Sequence, residues 1–163
     1  MEVRLTTTQD WQCLKQIRLA ALQDAPEAFG VSYATAAQYT DAQWQQRAAS
    51  TTTAFWLAFR DGEAVGMVGA ARADNGRFNL IGLWLAPTAR GCGAATRLVE
   101  AVKARAREQG HGQVYLDVAP ENREAVRLYR RQGFVFLDEW EVLESHPQVR
   151  VRGMVWAGSE EQD

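Results

Sequence analysis

The run Leu83-Trp84-Leu85-Ala86-Pro87-Thr88-Ala89-Arg90-Gly91-Cys92-Gly93-Ala94-Ala95-Thr96-Arg97-Leu98 carries the most chemical information in the chain. It reads as a strand entering a glycine-bearing loop that opens a long helix. The first turn of a helix has unpaired backbone N–H groups and a partial positive charge. Small residues let an anion approach that backbone. Arg90, Gly91, Cys92, Gly93, Ala94, Ala95 and Thr96 therefore describe a cradle for a phosphate or pyrophosphate. The glycines alone equally suit an ordinary strand-to-helix turn with unusual backbone angles. Two familiar cradles are excluded. A P-loop requires Gly-Lys-Ser/Thr, whereas Gly93 precedes Ala94-Ala95. A dinucleotide loop requires a small residue where Thr96 stands and an acid about 20 positions on, where His111 stands.

The elements that must hold this loop follow from periodicity. Val3–Leu5 alternates as a short strand. Thr8–Asp24 repeats Trp11, Leu14, Ile17 and Ala21 at helical spacing, with Thr8 as a cap, and Pro26 and Gly30 break the chain. A second helix covers Asp41–Ala48. Three strands follow, Ala54–Arg60, Glu63–Arg72 and Arg77–Ala86, separated by Asp61-Gly62 and Asp74-Asn75-Gly76 turns. The helix Gly91–Gln109 ends at Gly110, and Gln113–Val118 is a strand. Glu121–Gln132 is a helix ending at Gly133, and Phe134–Leu143 and Val149–Trp156 are two last strands. The order is β-α-α-β-β-β-α-β-α-β-β. The crossover at 77–118 requires one parallel pair and the hairpins require antiparallel pairs, which gives a mixed α/β (α+β) central sheet.

The chain has 163 residues, which predicts one domain over 1–157 and a short acidic tail over 158–163. The net charge of −2 argues against a nucleic-acid or anionic-membrane partner. Charge is nevertheless segregated. Residues 90–131 hold nine basic and five acidic side chains, net +4, and residues 132–163 hold two and seven, net −5. No run is apolar enough for a signal peptide or a membrane span, so a cytoplasmic protein is expected. Cys13 and Cys92 lack CxxC partners and there are two histidines, so no metal site is expected.

Arg90-Gly91-Cys92-Gly93-Ala94-Ala95 resembles the Arg/Gln-x-x-Gly-x-Gly/Ala signature of the GNAT acyltransferases, with Pro87 in its usual place. Asn122 to Phe134 independently resembles the family's Asn-x-x-Ala-x-x-Leu-Tyr-x-x-x-Gly-Phe segment. The two motifs stand in the right order, one helix and one strand apart. The resemblance spans the whole element order and is sharpest over 83–134. Ala95 is an allowed variant of the commoner glycine.

The resemblance implies a GNAT fold in which the fourth and fifth strands splay and acetyl-CoA lies between them. Backbone groups of Leu83 and Leu85 would meet the pantetheine arm, Trp84 would sit beside the thioester, and N–H groups from Gly91 to Thr96 would hold the pyrophosphate. Arg90 and Arg97 would be the nearest charged groups to phosphate, and Asn122 would touch or order the pantetheine region. Arg123, Arg127, Arg130 and Arg131 would face the nucleotide or water. Tyr129 would donate a proton to the departing thiolate, and a backbone N–H near Leu85 would stabilise the tetrahedral oxyanion. No metal is implied.

The base is not carried over by any motif: Asp117, Glu63, Glu139 and Glu141 are the acids in reach, none distinguished. Tyr33 and Trp44 fall in the region that lines the acceptor pocket in this family. The implied activity is an acetyl-CoA-dependent N-acetyltransferase using a ternary complex. Its acceptor would be a small cationic amine drawn to Asp138, Glu139, Glu141 or Glu144. A protein N-terminus or lysine acceptor, a CoA-sensing regulatory module and a cofactor-free interaction domain are the competing readings. A homodimer through an edge strand is compatible with all of them.

Overall fold

A computed structural model describes residues 1–26, 31–143 and 146–158. Gly30, Glu144 and the tail from Ser159 onward lie outside the described residues. The elements are β1 (Glu2–Leu5), α1 (Trp11–Asp24), α2 (Tyr33–Ala37), α3 (Asp41–Ala48), β2 (Ala54–Arg60), β3 (Glu63–Arg72) and β4 (Phe78–Leu85), followed by α4 (Ala94–Glu108), β5 (Gln113–Val118), α5 (Arg123–Arg131), β6 (Val135–Val142) and β7 (Arg150–Ala157).

Local chemistry explains where these boundaries differ from the periodicity. The first helix was expected from Thr8, but Thr8–Asp10 forms a separate 3₁₀ turn. Asp10 causes this, because its carboxylate accepts from the Thr7 N–H at 2.8 Å and from the Arg4 fork at 2.9 and 3.0 Å. The short α2 is absent from the expected order. It is one capped turn, with the Ser32 hydroxyl accepting from the Thr35 N–H at 3.2 Å, too short for a periodic signal. The fourth helix begins at Ala94 rather than Gly91, since Gly91 and Gly93 take φ of +81° and +85°. In the β2–β3 hairpin, Asp61 and Gly62 both have positive φ between the paired Arg60 and Glu63, the geometry of a primed two-residue turn.

The seven described strands form one mixed sheet in the order β1-β2-β3-β4-β5-β7-β6. The β4–β5 pair is parallel and the others are antiparallel. Helices α1 and α3 pack Leu14, Ile17, Leu22 and Trp44 against Leu57, Met67 and Trp84 on one face. On the other face, α4 buries Leu98, Val99 and Val102 completely against Val68, Leu80, Val114 and Leu116. Truncating Leu98 to Ala there costs about 2–5 kcal/mol. The buried Lys103 of α4 donates to the Gln132 carbonyl at 2.6 Å, a cation at the C-terminal end of α5. That contact fixes α5 and the tyrosine it carries.

Candidate functional site

Strands β4 and β5 share a single paired position, Asn79 with Tyr115. Beyond it they part, and a cleft of about 1030 Å³ opens between Leu80–Leu83 of β4 and Leu116–Val118 of β5. This volume suits a large organic ligand. The cleft is also bordered by the end of α1, the start of α5 and the segment before β7.

An irregularity in β4 shapes this wall. Met67 pairs with Trp84 but Gly69 pairs with Ile81, so β4 carries one extra residue at Gly82–Leu83. Gly82 has φ of +61°, and a Cβ there would lie 2.6 Å from Nη1 of Arg18. Further along, the Ala86 N–H bonds to the Val65 carbonyl at 2.8 Å. The alternation of an antiparallel ladder then turns the backbone groups of Leu85 away from β3, and its carbonyl accepts from Nε of Arg90 at 3.1 Å.

The glycine loop lies past the end of β4. Gly91, Cys92 and Gly93 are exposed, and nothing lies within 4 Å of a Cβ built at either glycine. The first helical bond runs from the Arg97 N–H to the Gly93 carbonyl at 3.2 Å. The amides of Ala94, Ala95 and Thr96 precede it, at the positive end of a fifteen-residue helix. The residues expected to form an anion cradle thus lie at an exposed helix start, outside the lining of the β4–β5 cleft.

Tyr129 projects from α5 into the cleft wall, 7% exposed and edge-on to Phe134 at 5.7 Å. Burial pushes its phenol well above the ordinary tyrosine value, so it stays protonated. Asn122 lines the same cleft and caps α5, its side-chain oxygen accepting from the Ala125 N–H at 3.3 Å.

The acetyltransferase (GNAT) family model matches residues 18–134, which include both cleft strands, the loop and Tyr129. The chain belongs to the GNAT acetyltransferase family. The donor of this family is acetyl-CoA. Human N-acetyltransferase 8 is 36% identical over 85 residues, 49% of this chain and 37% of that protein, so the match spans well under half of the relative. Among solved structures, a GNAT acetyltransferase from Streptococcus pneumoniae shares the fold at a TM-score of 0.76 and 19% identity, over 96% of this chain and 98% of that one. A protein from Bacillus anthracis solved in complex with acetyl coenzyme A aligns at a TM-score of 0.61 and 16% identity, covering 69% and 66%.

Within this GNAT frame several expected roles shift. Arg90 does not aim at the loop's anion position: its Nε donates to the Leu85 carbonyl at 3.1 Å and its Nη2 to Asp24 at 2.9 Å. Asp24, at the end of α1, also accepts from the Trp84 indole at 3.0 Å, and both donors hold its carboxylate below the usual range. Trp84 is consequently a core side chain, 8% exposed, and not a cleft contact. Arg97 is likewise diverted, donating to the Met1 carbonyl at 2.7 Å. Trp44 is 1% exposed in the α1–α3 core, and neither it nor Tyr33 borders the cleft. The Cys92 thiol donates to the Ala89 carbonyl at 2.8 Å.

The acids also sort themselves. Asp24, Asp117 and Glu121 line the cleft among the described residues, whereas Glu63, Asp138, Glu139 and Glu141 do not. Glu139 is instead paired with Arg77 at 2.8 Å. The pKa of Asp117 is raised, chiefly by desolvation and then by the like charges of Glu141 and Glu139, with Arg77 opposing. Two site residues escaped the sequence reading. Gly82 left a signal, an isolated glycine inside a strand pattern, which marks a bulge. Arg18 left none, since one arginine beside the apolar stripe of a helix is ordinary.

Proposed function

We propose that this chain is an acetyl-CoA-dependent N-acetyltransferase that transfers the acetyl group to a primary amine by direct attack in a ternary complex. The observation that carries the reading is the parting of β4 and β5 after Asn79, with Tyr129 in the wall of the opening and the glycine loop following β4 in the chain. The pantetheine arm runs along Leu83 and Leu85 as an added strand, the amides from Gly91 to Thr96 hold the pyrophosphate, and Asn122 orders the arm's far side. The pyrophosphate is held by backbone dipoles, because Arg90 and Arg97 are engaged elsewhere.

The chemistry needs three proton or charge partners. Asp117 takes the proton that the acceptor ammonium must lose, directly or through water; burial raises its pKa and makes it a stronger base than a free carboxylate. The amine nitrogen then attacks the thioester carbonyl carbon, and the developing oxyanion is met by a backbone N–H at the β4 bulge or Leu85. The C–S bond breaks, the sulfur takes the Tyr129 proton, and the second proton that the nitrogen sheds on becoming an amide returns through water to the phenolate, while Asp117 releases its proton to solvent. The experiment is an amine panel with acetyl-CoA, reading free thiol. Release of CoA with an amine supports the reading. No release with any amine, with no thermal shift at saturating acetyl-CoA, contradicts it.

A further inference from the structure

The acceptor end of the cleft has two walls of opposite charge. On the α1 side, Arg18 lines the cleft with its guanidinium against the β4 bulge, close enough that a Cβ on Gly82 would collide with Nη1. Arg47, seated on the Tyr39 ring, adds charge of the same sign. Across the opening, Asp117 of β5 lines the cleft with Glu139 and Glu141 behind it, and Arg77 partly offsets them through its pair with Glu139. The bulge at Gly82–Leu83 lies between the walls.

An amine with no other charge would use only the Asp117 wall and would sit opposite a cation. We infer that the acceptor is an amine that also carries a carboxylate, its nitrogen on the Asp117 side and its carboxylate on Arg18. The simplest members of that class are free amino acids. A guanidinium presents five N–H donors in a planar fork, which accommodates a bidentate carboxylate beside its contacts within the protein. Burial of Arg18 is the main influence on its pKa, which is lowered, and a partly dehydrated cation gains more from an anion than an exposed one does. The glycine at position 82 fits this role, since it is the residue that lets the guanidinium reach the bulge. This inference rests on the proposed acetyl transfer and names its substrate class.

The test compares common amino acids with their decarboxylated amines and their carboxamides, reading CoA release at saturating acetyl-CoA. At least one amino acid is expected to exceed both analogues about tenfold or more in kcat/KM. Arg18→Gln is expected to erase that preference mainly through KM, costing the amino acid about tenfold more than its decarboxylated amine, and to be partly rescued by Arg18→Lys. Equal use of the decarboxylated amines by the unaltered enzyme overturns the inference, as does an equal loss on both acceptor classes in Arg18→Gln. If no amine turns over, the proposed function fails first. The inference is then read from calorimetric binding of N-acetyl amino acids to the CoA-loaded protein. Saturable binding that Arg18→Gln abolishes supports it, and no binding to the unaltered protein overturns it.

Discussion

The two ends of the cleft are built in different ways. In the proposed complex the donor's phosphates would be held by backbone: two left-handed glycines and the first amides of α4, with the two nearest arginines bound to other parts of the protein. The acceptor would meet side chains brought to the cleft from separate elements, Arg18 from α1, Asp117 from β5 and Tyr129 from α5. The difference teaches that the donor grip depends on conformation at a few consecutive positions, whereas the acceptor chemistry depends on how well the sheet and helices hold three distant groups.

The comparison breaks most severely at the bulge. Gly82→Val puts a branched Cβ into Arg18 at a positive φ that β-branched residues avoid. Turnover is expected to fall roughly 100-fold or more, at the scale of a misplaced reacting group, with acetyl-CoA affinity largely kept. Equal loss of donor affinity would show that the ends are not separable.

Asp117→Asn comes next, with a loss of about 100-fold in kcat/KM at neutral pH. The unaltered enzyme's kcat/KM is expected to rise with pH through the raised pKa of Asp117, and that acid limb should vanish in the variant. The stability effect has the opposite sign. A carboxyl whose folded pKa lies above its unfolded value favours folding at low pH, and that benefit is lost as pH rises through the folded pKa. Asp117→Asn should therefore raise the thermal midpoint at neutral pH, and a lower midpoint would contradict the assignment.

Gly93→Val forces the helix-cap position out of the left-handed region. Strain of about 1–3 kcal/mol should weaken acetyl-CoA binding about tenfold, with acceptor preference intact when acetyl-CoA is saturating. The smallest effect is expected at Arg90. Arg90→Gln removes an exposed ion pair and should leave acetyl-CoA affinity within about fivefold. A larger, strongly salt-dependent loss would return Arg90 to the phosphate.

The same division governs what was legible beforehand. The conformation of the glycine loop could be read because Gly91, Gly93 and the helix start are neighbours in the chain, and their spacing encodes it directly. Tyr129 and Asn122 came from a second local motif. The direction of Arg90 could not be read, because Asp24 lies 66 positions away and meets it only in the folded sheet. Asp117 was one carboxylate among several until the register set Glu139 and Glu141 near it and the cleft opened beside it. The extra helix α2 was missed because five residues carry too little periodicity.

In the proposed mechanism Tyr129 joins the two ends, because it would protonate the donor's sulfur as the intermediate formed by the acceptor collapses. Replacing Tyr129 by Phe and measuring pre-steady-state turnover alongside the acetyl-CoA dissociation constant is the most direct test. Turnover is predicted to fall roughly 100-fold, the scale of a lost proton donor, while the dissociation constant stays within about twofold. Unchanged turnover in a folded Tyr129→Phe protein that still binds acetyl-CoA would contradict the account.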